Sequence, residues 1–405
     1  MPELAEITVM KILVVTSVFP NSRQPGLGVF VRERMFKVAQ HCELKVVAPA
    51  PWFPLINRIK KDYRPLVPYH EVQDGIDVYH PRFFNIPRYF KFLDGFFFFL
   101  CTFLTLKKIR KSFDFDLIDA HFVYPDGFGA VLLGKYFRKP VTITARGTLR
   151  KFSSSPFISI MIRYALRHTA QVFTVCNDLR QAAIDAGGAP ERIAVITNGV
   201  DSNKFFRIDQ REARKKLGLE QNRKILISVG GLTERKGFHR IIQLIPELRK
   251  RYPDLLYVIV GGSSVEGNNE VYLRQLIDDL DVKNLVYITG PKPHQELYLW
   301  LNAADVFCLA TANEGWANVF LEAMACGLPV VTTDVGGNRE VVCSEDVGIL
   351  VPFFDADKFK QALETALDKE WKKELITDYA KNNSWDQRIQ LLDKYFNDLI
   401  QNTKS

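Results

Sequence analysis

The amino-acid sequence predicts an α/β protein made of two doubly wound parallel sheets, one in each of two domains. Short apolar runs alternate with longer amphipathic stretches along the whole 405-residue chain, the pattern of strands joined by crossover helices. The chain also exceeds the roughly 300 residues at which a single core stops growing. With 47% hydrophobic and 25% charged residues, its composition is that of a folded protein rather than a disordered one.

Candidate strands in the first half are KILVVTS, ELKVVAP, GIDVYHP, DLIDAHF, PVTITAR, QVFTVC and RIAVITN. In the second half they are KILISVG, LYVIVGG, LVYITG, DVFCLAT and PVVTTD. Each is a short run rich in β-branched residues and bounded by glycine, proline or charge. The two series part at NGVDSNKFFRIDQ, a glycine turn followed by polar residues, so the expected domains are 1–202 and 203–384. The tail SWDQRIQLLDKYFNDLI has the period of an amphipathic helix and ends the chain over 385–405.

One stretch interrupts this pattern, Phe83 to Lys111, with its FFFF core. Its longest uncharged run, Gly95 to Leu106, is 12 residues, short of the roughly 20 needed to span a bilayer. Two readings stay open: a buried helix on the first sheet, or an interfacial helix flanked by Lys107, Lys108, Arg110 and Lys111.

The net charge of +8 is unevenly divided: residues 1–200 carry a net +11 and residues 201–405 a net −3. The first half is therefore expected to face an anionic surface or substrate. Six scattered cysteines, with no CxxC pair and no Cys/His cluster, argue against a metal site or a disulfide framework and point to a reducing cytosol. The first residues lack the basic start of a signal peptide; Met10 could serve as the start, leaving nine residues of leader.

The chemistry concentrates in NEGWANVFLEAMACGLPVVTTDVGG, Asn313 to Gly337. The strand DVFCLAT ends here, Glu314 and Gly315 form a loop, and a helix over WANVFLEAMAC follows, capped by Gly327 and stopped by Pro329. After a parallel strand, the next helix points its free N–H groups into the ligand crevice, a geometry that binds phosphate. Glu314 then lies at the crevice lip and Glu322 about two turns into the helix, so that one carboxylate meets each end of an extended ligand. Carboxylates repel phosphate, and cations must come from elsewhere. VGGLTERKGFHR supplies them: Arg235 as a fork of donors and Lys236 as a point charge, after the strand KILISVG.

The spacing Glu314-x7-Glu322, with EGW before it and EAMACGLPVV after it, resembles the retaining nucleotide-sugar glycosyltransferases of family 4. VGGLTERKG, TGPKPHQEL, AADVFCL, VGGNREVV and the junction NGVD extend the resemblance over nearly the whole chain. It implies the GT-B architecture: two facing Rossmann-like domains, with a final helix (385–405) crossing back to the first. It also implies that Arg235 and Lys236 bind the donor diphosphate, Glu322 the ribose and Glu314 the transferred sugar. Gly28, Gly231, Pro291, Lys292, Gly315, Asn318 and Val319 join these donor contacts, the base lying near Gly290 to Pro293.

In the first half, PGLGVFVRE resembles the family's glycine-rich loop, where Gly26 and Gly28 let backbone N–H groups approach donor phosphate or acceptor. DLIDAHFVYPDG ends a strand on His121, matching the family's histidine beside the reacting sugar, and TARGTL puts Arg146 where it could meet an anionic acceptor. Three positions depart from the family: Gly231 stands where many relatives carry arginine, Cys176 where a serine is common, and Leu149 where an aspartate often follows the RG-small motif.

The expected activity is metal-independent transfer of a hexose, with retention, from a nucleoside diphosphate (UDP preferred over GDP) to an acceptor hydroxyl, without a cofactor. His121, Arg235, Lys236 and Glu314 carry the catalysis. The expected acceptor is a lipid-linked saccharide or glycolipid in cell-surface polysaccharide synthesis, met at the cytoplasmic face of an anionic membrane by a peripherally bound protein. Sugar-nucleotide 2-epimerisation is the alternative on the same architecture. A nicotinamide dehydrogenase lacks its G-x-G-x-x-G, and a nucleic-acid binder would leave the second half's site residues without purpose.

Overall fold

A computed structural model of the chain describes residues 9–54, 66–86, 89–264, 266–353 and 355–404. The first eight residues of the expected leader lie outside this set. The chain divides into two compact units, Met1–Asn198 with Asp386–Ser405, and Gly199–Trp385.

The strands of unit 1 are β1 (Lys11–Thr16), β2 (Glu43–Val47), β3 (Ala50–Trp52), β4 (His70–Gln73), β5 (Ile76–Tyr79), β6 (Arg82–Phe84), β7 (Leu117–His121), β8 (Val141–Ala145), β9 (Gln171–Thr174) and β10 (Ile193–Val195). Eight of them form one sheet in the order β10-β9-β8-β7-β1-β2-β5-β4, and β3 pairs with β6 in a small ribbon. Strands β1, β7 and β8 are buried on both faces, as parallel strands covered by helices must be. The chain leaves β1 for β2 on one side and returns to β7 on the other. That reversal opens a crevice at the carboxyl ends of β1 and β7. All seven strands anticipated in this half are present. β3, β4 and β6 had no readable signal: β4 is a polar edge strand, HEVQ, antiparallel to β5, and the other two are three residues long.

The second unit holds β11 (Ile225–Val229), β12 (Leu256–Val260), β13 (Val286–Gly290), β14 (Val306–Leu309), β15 (Val330–Thr333) and β16 (Gly348–Val351), in the order β13-β12-β11-β14-β15-β16. Every pairing between neighbours is parallel. The switch lies between β11 and β14, which puts the loops after these two strands side by side. Those loops carry ERKG and NEGW.

The Phe-rich stretch forms the helix Asp94–Ile109. One face packs on the helix Phe128–Phe137, where glycines permit close approach: a Cβ on Gly129 would lie 2.8 Å from the Phe98 ring, and one on Gly95 2.8 Å from Phe128. The opposite face leaves Phe96, Leu100 and Leu104 exposed, in line with exposed Lys107, Lys108 and Lys111. The helix is thus buried on one side and amphipathic along its solvent side. No helix among the described residues is long and apolar enough to cross a membrane. The last helix, Trp385–Lys404, buries Ile389, Leu392, Phe396 and Ile400. Within unit 1, Tyr395 and Phe396 pack on Phe173 of β9 with ring centroids 5.4 and 6.1 Å away.

Candidate functional site

After β11 the chain turns through Gly230 and Gly231 into a single 3-10 turn, Glu234–Lys236, closed by Gly237 in the left-handed region at φ 74°. The loop after β14 is tied directly to it. Ala312 N–H donates to the Arg235 carbonyl at 2.8 Å, and the Thr311 hydroxyl, 3.1 Å from the same oxygen and 3.2 Å from Glu314 Oε1, shares its one proton between them. These bonds fix the backbone of Arg235 against the strand end that presents Glu314.

The side chains then converge on one oxygen. Lys236 Nζ lies 2.7 Å and Arg235 Nη1 2.9 Å from Glu314 Oε1, and the Thr311 hydroxyl adds a third donor at 3.2 Å. Glu314 is 8% exposed, so it sits inside the loop rather than at an open lip. Burial alone would push its carboxyl up; Lys236 and Arg235 outweigh burial and hold it below the ordinary value. A second carboxylate, Glu266, grips the far side of Arg235 with a bidentate pair at 2.9 and 3.1 Å. The two cations are therefore matched by two carboxylates. Their fork and point charge stand in charge-assisted pairs, which a diphosphate would have to share or displace.

The helix expected over WANVFLEAMAC starts only at Asn318 and runs to Ala325, with Gly327 left-handed at φ 78° after it. Residues 314–317 stay out of the helix because the Glu314 carbonyl accepts from Gly337 N–H at 3.0 Å. A Cβ on Gly336 would lie 2.0 Å from that carbonyl, which explains the first glycine of the pair closing the motif. Glu322 consequently lies little more than one turn into the helix, not two. Its Oε1 is 3.3 Å from Nε2 of His294, an orienting partner to which the sequence motif TGPKPHQEL gave no role. Gly315 and Asn318 are half-buried near the helix start, and Val319 packs on the unit's core.

Gly231 has a local reason to be glycine: a Cβ there would lie 2.7 Å from the Ser264 Cβ. The space that a larger side chain would enter there is occupied by Ser264. Pro291 packs on the Gly262 backbone, its Cδ 3.1 Å from where a Cβ would stand. Lys292 Nζ lies 5.5 Å from the Trp300 ring centroid, a cation–π contact.

In unit 1, Gly28 at φ 71° begins the helix Val29–Val38. A Cβ there would lie 2.4 Å from the Val18 carbonyl oxygen, whereas Gly26 has open space around it. His121, at the end of β7, is 0% exposed. Its Nδ1 accepts from Arg146 Nη2 at 3.1 Å, and Nε2 stands 3.2 Å from Asp119 Oδ2. Arginine has no lone pair to offer, so Nδ1 is the bare nitrogen and Nε2 carries the proton toward Asp119. Burial, with Arg146 and Arg34 adding to it, pushes the imidazole down to about 4 against the pull of Asp119. His121 is thus a neutral, buried holder of Arg146 rather than a ring open to a ligand. The other departures have structural explanations. Cys176 caps the helix Asn177–Asp185, its Sγ accepting from Leu179 N–H at 3.4 Å as a serine oxygen would. Leu149 is 2% exposed in the core.

Comparison with known proteins agrees with this geometry. Residues 25–204 match Glycosyltransferase Family 4, and residues 209–383 match Glycosyl transferases group 1. A Bacillus subtilis (strain 168) protein named for teichuronic acid biosynthesis, the glycosyltransferase TuaC, is 27% identical over 91% of this chain and 92% of its own. A D-inositol 3-phosphate glycosyltransferase of Corynebacterium urealyticum is 34% identical over 56% of each chain, so that the match spans little more than half of that enzyme. Among solved structures, sucrose-phosphate synthase from Thermosynechococcus elongatus superposes with a TM-score of 0.77 at 19% identity, covering 97% of this chain and 99% of that one. Anabaena HepE in complex with UDP-glucose superposes with a TM-score of 0.73 at 20% identity, covering 96% and 100%. Two parallel-dominated sheets of this topology, filled by these two sequence families, make the chain a glycosyltransferase of the family 4-like GT-B class.

Proposed function

We propose that the enzyme transfers a hexose from a nucleoside-diphosphate sugar, UDP preferred, to an acceptor hydroxyl with retention and without a metal ion. The observation that carries this is the convergence of Arg235 and Lys236 on Glu314 Oε1 beside a helix that bears Glu322. Acid pairs of this kind suit hydroxyls, and the paired cations suit a leaving diphosphate. HepE, of the same fold, is solved with UDP and with UDP-glucose, which supports the same donor chemistry here.

In this reading the bond from the anomeric carbon to the β-phosphate oxygen breaks while the acceptor oxygen bonds to that carbon on the same face. The acceptor proton passes to the departing phosphate oxygen. Arg235 and Lys236 stabilise the charge that develops there, and Glu314, held ionised by those cations, orients the sugar. Glu322, steadied by His294, accepts from the ribose hydroxyls. His121 acts through Arg146 as a positioning residue.

Incubation with UDP- or GDP-sugars in EDTA should release nucleotide at an undiminished rate. Strict dependence on an added divalent cation would sink the metal-free mechanism, and conversion of the donor to its 2-epimer without acceptor would replace transfer by epimerisation.

The acceptor is read as a lipid-linked saccharide or glycolipid in cell-surface polysaccharide synthesis, met at the inner face of the cytoplasmic membrane. The exposed stripe of Phe96, Leu100 and Leu104 running into Lys107, Lys108 and Lys111 supports peripheral binding. Each basic residue contributes about 1 kcal/mol near an anionic leaflet. With anionic vesicles at low salt the protein should float, and changing Lys107, Lys108, Arg110 and Lys111 to glutamine should leave it at the bottom of the gradient. A protein that stays in solution without those changes has a soluble acceptor.

A further inference from the structure

Among the described residues, unit 1 buries two guanidiniums beside one carboxylate. Arg34, on the helix Val29–Val38, is 0% exposed, and none of its three guanidinium nitrogens has a hydrogen-bond partner among those residues. Arg146 is 5% exposed, with Nη2 on His121 and Nε unpartnered. Burial lowers both guanidiniums, Arg34 lowers Arg146 further, and the carboxylate that acts on both is Asp119. Guanidinium keeps its proton inside proteins, and His121 is neutral. Two buried cations thus face one carboxylate. Burying an uncompensated charge is among the most destabilising things a fold can do, so its retention here points to a use.

The surroundings say which use. The Arg146 guanidinium lies 4.5 Å from the ring centroid of Phe30, in the first turn of the helix Val29–Val38. That helix starts at Gly28, which offers no side-chain cap, so its first N–H groups and positive dipole end lie beside Arg146. Among the described residues the buried Thr144 hydroxyl also has no partner, and Thr144 pairs in register with His121 on the same face of the sheet. All of this gathers at the carboxyl end of the sheet, where the fold opens its crevice.

We propose that this end of unit 1 binds an anionic group, a carboxylate or phosphate, carried by the acceptor saccharide. Arg146 and the amino end of the helix make the contact. Arg34 stands behind them as a second positive charge that the ligand does not touch. The word acceptor rests on the transfer reading above; the anion site itself does not.

The test uses the full chain and three probes: glucuronate, glucose 1-phosphate, and glucose as the uncharged control. Either anion should raise the melting temperature with concentration by mass action, and glucose should not; whichever anion acts at lower concentration identifies the acidic group. Arg146→Gln should lose this protection, while Lys236→Ala in unit 2 should keep the glucuronate effect. Arg34→Met removes the unpaired charge at similar volume. It should melt no lower than the parent without ligand and lose the protection, and Arg34→Lys should restore it. In transfer assays with an acidic acceptor, Arg34→Met should raise the acceptor KM roughly tenfold or more and leave the donor KM unchanged. The proposal is overturned if glucose protects as well as the anions, if Arg34→Met melts lower while keeping the anion effect, or if Arg146→Gln raises the donor KM instead. An enzyme that releases nucleotide yet ignores both anions fails this proposal alone. One that binds the anions but accepts no nucleotide sugar fails the donor reading alone.

Discussion

Lys236→Ala lowers turnover by at least about 100-fold, the effect of removing one preorganised charge from a reacting centre, while the protein still folds. The ammonium is the shortest contact Glu314 has, at 2.7 Å, and it is the point charge placed to meet the departing diphosphate. Folding survives because Arg235 Nη1, at 2.9 Å, and the Thr311 hydroxyl still hold the Glu314 carboxylate. Nucleotide release from a donor sugar gives the rate, and circular dichroism with a melting curve gives the fold. Turnover within a few-fold of the parent would remove Lys236 from the mechanism, whatever its contacts.

Gly237→Ala is expected to do the reverse, damaging structure first and activity as a result. The residue sits at φ 74°, and an added Cβ would come within 1.9 Å of the Ala310 carbonyl oxygen and 2.6 Å of the Arg240 guanidinium. A left-handed non-glycine residue already costs about 1 kcal/mol or more. A backbone atom cannot swing aside as a flexible side chain can, so the loops after β11 and β14 must separate. A loss on the order of 3 kcal/mol follows, or a melting temperature lower by roughly 6–12 °C for a unit of this size. The same separation breaks the bonds from Ala312 and Thr311 to the Arg235 carbonyl, and turnover falls with them. An alanine variant that melts like the parent would mean the loops can part at no cost, and that the glycine is not needed for their contact.

Much of this could be read from the chain directly, because the signals are local. Strands such as ILISV and VTITA are short runs rich in β-branched residues and buried at every position, since both faces of a parallel sheet are covered. Gly327 and Gly28 reveal left-handed turns because little else adopts them. ERKG and the Glu314/Glu322 spacing revealed the chemistry because each follows a strand whose end opens on the crevice. Only the tertiary structure could decide what depends on residues far apart in sequence. Glu266 is an exposed loop acid until the fold brings it 2.9 Å from Arg235. His294, carried within TGPKPHQEL without a role, gains one only when it meets Glu322, and Lys292 shows no tie to Trp300 until the fold sets it 5.5 Å from that ring. Likewise the sequence marks His121 as ending a strand, but only packing shows it to be buried and neutral between Asp119 and Arg146. The division follows from range. Backbone conformation and strand burial depend on each residue and its near neighbours, whereas ionisation and partnership depend on which charges and low-dielectric surroundings the folded chain places within a few ångströms.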